Sequence, residues 1–219
     1  MSVNIPAHAP GLPPVHAPVH RAALISSIAA PIIFIGTTIV AETLWPAFDP
    51  IKQTISELAA GDAPTRVLMT IAFVLTGLCH ITTGSFARGI GIPGRIAIVA
   101  AGFTTLGVAV FPLPTVAGTS VEHRVAAMAG FIILAIWPVL GMRFARSYPW
   151  IIRPVGAIIS TAFIAVFCFW FLAVWSQPAL GYVGIIERIA ADLQSLWPAV
   201  VVLALVVSQR RARRALPLP

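Results

Sequence analysis

An all-α membrane protein, a bundle of six transmembrane helices with a short interfacial helix between the first and second, is the fold class this sequence predicts. Three observations predict it. Mean hydropathy is +0.95, and 58% of the 219 residues are hydrophobic while only 10% are charged, a balance that a soluble domain of this length does not carry. Six apolar runs, 22–45, 65–87, 94–113, 123–144, 150–176 and 185–208, each approach the roughly 20 residues needed to cross a hydrocarbon core of about 30 Å. Finally, charge alternates along the chain. Glu42, Asp49, Glu57, Asp62, Glu122, Glu187 and Asp192 all fall at one set of segment ends, whereas Arg21, Arg88, Arg95, Arg143, Arg146, Arg153, Arg210, Arg211, Arg213 and Arg214 fall at the other.

Arginine and lysine are retained in cytoplasmic loops, so this alternation predicts cytoplasmic N and C termini in a multi-pass protein of the cell membrane, with the acids outside. Only Lys52, Arg66, Arg124 and Arg188 stand at the acidic ends. The same pattern argues against nucleic acid as the reason for the net charge of +7, because the arginines are dispersed along loop ends and a tail, as membrane topology requires.

The first segment, residues 1–20, is rich in proline and small residues and reads as a disordered cytoplasmic tail. Its His8, His16 and His20 match no zinc spacing. The transmembrane domain then occupies 21–209, and a basic cytoplasmic tail 210–219. Within the loop between the first two spans, Asp49 before Pro50 has the form of an N-cap followed by proline at the first helical position, and Ile51, Ile55 and Leu58 share a helical face up to Gly61. This predicts the amphipathic interfacial helix, with Thr54 and Glu57 spaced as a capping box.

Asp62 is placed to cap the second span, and Thr119 and Glu122 to form a capping box for the fourth. Cys79 and Cys168 lie inside spans without metal-type spacing and read as small apolar residues. His80, within the second span, reads as an interhelical hydrogen bonder. The fifth span is aromatic, with Phe163, Phe167, Phe169, Trp170, Phe171 and Trp175. Trp45, Trp175, Tyr182 and Trp150 fall where interfacial belts belong.

The sixth span carries the strongest polar signal. Glu187, Arg188, Asp192, Gln194 and Ser195 occupy its first turns; Arg188 and Asp192 are spaced as an i,i+4 pair, and Glu187 and Gln194 share a neighbouring stripe. An ionisable group at bilayer depth costs about 2.5–3.5 kcal/mol on the mildest scale, so these side chains must face protein or a wet cavity. No nucleophile elbow, zincin motif, phosphate loop or dinucleotide fingerprint is present, and Gly89-x-Gly91 is too short to count. The sequence therefore calls for no cofactor and no metal.

The run Asp49-Pro-Ile-Lys-Gln-Thr-Ile-Ser-Glu57, the exit Phe111-Pro112 with His123 and Ala126-Ala127 beyond it, and Glu187-Arg188 with Leu196-Trp197-Pro198 resemble a bacterial six-helix membrane family known as domain of unknown function 998. The likeness spans 22–208 and carries no activity. Where that family is expected to hold an acid after Phe111-Pro112, this chain has Leu113-Pro114. A looser similarity, in size, helices and acids in an apolar aromatic setting, is to small membrane-bound terpene cyclases, and it is analogy.

A carboxylic acid enclosed by apolar side chains can act as a proton donor to an alkene or epoxide, and aromatic faces stabilise the resulting cation by about 0.5–2 kcal/mol each. The sequence thus nominates Glu57 and Glu187 as catalytic acids, with Asp49 and Asp192 tuning them. It nominates Phe167, Phe171, Trp175, Trp197, His123 and Arg188 as the substrate-binding wall for an isoprenoid-like molecule supplied by the lipid bilayer. Arg188 is expected to engage Asp192, leaving Glu187 as the donor. The competing expectation is a non-enzymatic proton-coupled carrier or accessory protein using the same acids as a relay. The geometry that separates them is a pocket lined by acids and rings against a closed salt-bridge cluster.

Overall fold

A computed structural model describes residues 19–214. Six helices, each long and apolar enough to cross a membrane, make up the chain: α1 Arg21–Leu44, α2 Arg66–Phe86, α3 Ile92–Val110, α4 Val121–Leu140, α5 Pro154–Trp175 and α6 Val183–Arg214. Consecutive helices pack as neighbours and α6 returns to α1, closing a ring. Even-numbered helices therefore start at the acidic end and odd-numbered ones at the basic end.

Local chemistry sets the boundaries. His20 caps α1, its Nδ1 accepting from Ala22 N at 3.1 Å, while its ring stacks on Phe86 at 4.9 Å. Of the tail expected over 1–20, Val19 and His20 are within the described residues, and the rest, His8 and His16 included, lies outside them. Helix α3 stops at Val110 because Pro112 and Pro114 follow. Helix α6 runs past the apolar stretch through Gln209, Arg210 and Arg211 to Arg214, since arginine, alanine and glutamine favour helix once it has begun.

Two expected caps differ. Ser120, not Thr119, caps α4, accepting from His123 N at 3.1 Å. Asp62 does not cap α2; its Oδ1 accepts from Val116 N at 2.8 Å and ties the α1–α2 loop to the α3–α4 loop.

Helices approach closely where small residues meet. A Cβ on Gly77 would lie 2.8 Å from the carbonyl oxygen of Gly102, and one on Gly102 would lie 2.6 Å from that of Gly77, so the α2–α3 crossing depends on both lacking a side chain. A Ser26–Thr83 hydroxyl contact of 2.7 Å joins α1 to α2. At the basic end Arg143 donates to the carbonyls of Arg88, Gly89 and Ile90 at 3.1, 3.2 and 2.9 Å, closing the loop between α2 and α3.

The interfacial element is shorter than the sequence implied. Asp49 caps only a turn, through Ile51 N at 3.0 Å and Lys52 N at 3.3 Å, and a 3₁₀ helix follows at Ile55–Ala59. Its face is not offered to lipid. Ile55, Leu58 and Ala59 are at most 2% exposed and pack with Phe34, Met69 and Phe73, while buried Ala60 packs with Ala63 and Leu113, so the segment closes the acidic end of the bundle like a stopper.

Candidate functional site

Beneath this stopper lies a predominantly apolar chamber of about 100 Å³. Every helix except α5 reaches it. Phe34, Phe73 and Phe131 supply rings, Val108, Ala127 and Leu134 supply aliphatic surface, and Ile55 and Ser56 form the cover. Its titratable groups are Glu187 and His80. Among the described residues no three His, Cys, Asp or Glu side chains converge.

Glu187 is 4% exposed, and its Oε2 accepts from the backbone amide of Ile55. That bond anchors α6 to the stopper and leaves the carboxyl on the chamber wall. The adjacent amide, Thr54 N, donates to Oε2 of Glu57, whose same oxygen accepts from Thr54 Oγ1 at 3.1 Å; this is the expected capping box. Two carboxyls from opposite ends of the sequence are thus held on consecutive amides. Glu57 does not line the chamber. Burial holds its carboxyl above the ordinary range of 4.5, against the pull of the Thr54 hydrogen bonds and of Arg188.

Arg188 takes a different path from the one its spacing implied. Its partner is Glu42 at the end of α1, not Asp192: Glu42 Oε1 lies 2.7 Å from both Nε and Nη2. Nη1 donates to Gln53 O at 2.8 Å and Gly184 O at 2.9 Å, and the guanidinium stands 5.3 Å from the Phe48 ring centre. Helix spacing alone could not separate these partners, because the competitor arrives from 146 residues away. Asp192 is half-buried on α6 beside the chamber rather than on its wall.

Asp49 stands apart. Its carboxylate pairs with Lys52 at 3.0 Å, with both side chains substantially exposed, and that hydrogen bond holds it below the usual carboxylate range. His123 is 1% exposed and lies behind the cover. Its Nδ1 can only donate to Phe111 O at 2.8 Å, so in the neutral ring Nε2 accepts from Ser56 Oγ at 3.0 Å.

The nominated aromatic residues pack elsewhere. Phe171 and Trp175 stack on each other at 5.5 Å within the α5–α6 interface, Phe167 lies edge-on to Phe163, and Trp197 sits 6.0 Å from Phe163. Phe171 comes nearest to the chamber, its ring 4.7 Å from that of Phe131 on the wall. The sequence reading overlooked Phe34, Phe73, Thr76 and Phe131 as wall residues, whereas Ser195, singled out among the polar groups of the sixth span, is on the wall. Phe73, Thr76 and His80 recur at spacings of three and four on α2, which is the signal that could have found them.

A family model described as "Protein of unknown function (DUF998)" matches residues 28–204. The chain belongs to this family. No curated protein and no solved structure matches it. The matched region contains the stopper, Glu187 and every chamber-lining residue.

Proposed function

We propose that this family member is an intramembrane enzyme that starts the reaction of an isoprenoid-like molecule by proton transfer from Glu187, a cyclase in the terpene sense. The observation that carries this reading is the placement of one nearly inaccessible carboxyl on an apolar wall that also presents Phe34, Phe73 and Phe131. Protonation of an alkene draws its π pair to the Glu187 proton and leaves a carbocation. A second double bond closes onto that cation, and the carboxylate takes back a proton as the cation collapses, so the net change is an isomerisation. Ring faces lower the energy of the cation by about 0.5–2 kcal/mol each when water is excluded. A chamber of this size accepts the reacting end of a branched chain, and the bilayer supplies the chain itself.

One observation favours a second reading, proton passage without bond chemistry. Glu57 and Glu187 hang on consecutive amides, one outside the chamber and one on its wall, as two stations of a relay would.

Purified protein in lipid nanodiscs, incubated with prenylated alkenes and epoxides, separates the two. E187Q is expected to lose turnover by a factor on the order of 10² or more, as removal of a general acid does. E57Q should lose much less. Turnover unchanged in E187Q removes Glu187 as donor; proton flux into dye-loaded vesicles with no product from any alkene supports the relay instead.

A further inference from the structure

Three polar side chains on the chamber wall have no protein partner. Thr76 Oγ1, His80 Nδ1 and Ser195 Oγ make no hydrogen bond, and their residues are 3%, 2% and 4% exposed. Thr76 does not even return its hydroxyl to the preceding turn, as Thr38, Thr82 and Thr105 do. The other polar groups of the lining are engaged: Thr104 and Thr105 on Ala101 O, Gln194 on Phe131 O, Ser56 on His123 and Glu187 on Ile55 N.

The unpaired groups share one level. Helices α2 and α6 both start at the acidic end, so at 1.5 Å per residue Thr76, His80 and Ser195 lie about 15, 21 and 18 Å along them, whereas Glu187 lies about 6 Å along α6. The carboxyl is thus near the cover, the unpaired trio near mid-bundle with Phe131 at its level, and the Phe73 ring between. A buried polar group without a partner costs about 1–3 kcal/mol, so three on one wall call for something to bond.

We propose that this inner end of the chamber binds the neutral oxygen head group, a hydroxyl or carbonyl, of an otherwise apolar molecule. The proposal rests on the chamber being a substrate site, as argued above. Charge selects the class. No lysine or arginine lines the chamber, its one carboxyl is Glu187, and Arg188 is turned away onto Glu42. A phosphate or diphosphate would enter without a counter-ion and beside an acid. Two hydroxyls that donate or accept, and an imidazole nitrogen that does either according to tautomer, instead match a single uncharged oxygen. A substrate so held presents its other end toward Glu187.

The test measures displacement of radiolabelled farnesol from the full chain in nanodiscs by farnesol, farnesene and farnesyl diphosphate, which share a chain and differ in the head. Farnesol should bind at least tenfold more tightly than farnesene, and the diphosphate more weakly than either. The near-isosteric T76V/S195A variant, checked for an unaltered fold by thermal melting, should bind the hydrocarbon within about threefold of the parent and lose the preference for the alcohol; T76V and S195A alone should each lose part of it. Equal affinity for alcohol and hydrocarbon, an undiminished preference in T76V/S195A, or no specific farnesol binding overturns the proposal and leaves ordered water as what fills this end. An alcohol preference in the parent that T76V/S195A abolishes, with E187Q fully active, would defeat the proton donor alone. Equal affinity of the parent for alcohol and hydrocarbon, or a preference undiminished in T76V/S195A, with E187Q inactive, would defeat the head-group site alone.

Discussion

Arg188 and Glu187 are neighbours in sequence, yet they serve opposite kinds of structure. Around Arg188 most of the polar capacity is used: Glu42, Gln53 and Gly184 accept from Nε and Nη1, Nη2 is ion-paired to Glu42 without a hydrogen bond of its own, and Phe48 lies beside the guanidinium. Around the chamber, one helix face away, Thr76, His80 and Ser195 are left open. A largely buried ion pair holds α1, the stopper and α6 in register, because taking away either partner leaves the other charge without its counter-ion. An open polar set stabilises nothing by itself and is retained at a cost to stability. The contrast teaches that polar residues within the span divide into those that assemble the acidic end and those that face a cavity, and that adjacency in sequence does not tell them apart.

The largest effect should come from breaking the closed side. R188M strands Glu42 and frees two carbonyls, and should lower stability by about 3–5 kcal/mol, measured by thermal or denaturant unfolding in mild detergent. If R188M melts like the parent, the latch is not what holds the end together. G184A comes next: its Cβ would stand 2.1 Å from Gln53 O, forcing α6 off the stopper at a cost of about 1–3 kcal/mol, read in the same melts.

On the open side the sign should reverse. T76V removes an unpartnered buried hydroxyl while preserving shape, and the ligand-free protein should gain about 1 kcal/mol. A loss in T76V would mean that the hydroxyl is already bonded, by water, when the chamber is empty of substrate.

The smallest effect concerns Glu57, whose pH dependence sharpens the boundary between the two regions. Its folded pKa lies above the ordinary 4.5, so the native state holds the proton more tightly than the unfolded chain. The associated stability is fully present below pH 4.5 and is lost as pH rises through the folded value. The melting temperature of the parent should therefore decline over this window more than that of E57Q, which keeps an acceptor for Thr54 N. Parallel curves would show that the carboxyl titrates alike in both states.

Much of the architecture is legible in the sequence. Hydropathy runs located six helices to within a few residues at most ends, because a span in lipid must satisfy its own backbone and so must be a long apolar helix. The exceptions have local reasons: proline cut α3 short, and a favourable Arg-Ala-Gln stretch prolonged α6. The Thr54–Glu57 box was readable from spacing, since both partners lie within one turn. The meeting of Glu57 and Glu187 near Thr54 and Ile55 was anticipated only in outline, from the common acidic end. Long-range choices were not legible. That Arg188 would select Glu42 over Asp192, and that Phe34, Phe73 and Phe131 would form the wall in place of Phe167, Phe171, Trp175 and Trp197, depend on helix rotation about its own axis, and that Asp62 would hold Val116 depends on how two loops meet.

The sequence by itself determined that this is a six-span helical membrane protein with its acids at one end, because apolar length and charge placement act segment by segment. Only the tertiary structure decided which acid is closed off in an ion pair and which faces a cavity. That outcome depends on side chains from helices far apart in the chain meeting at distances of about 3 Å, where a rotation of one helix by a single residue exchanges one partner for another.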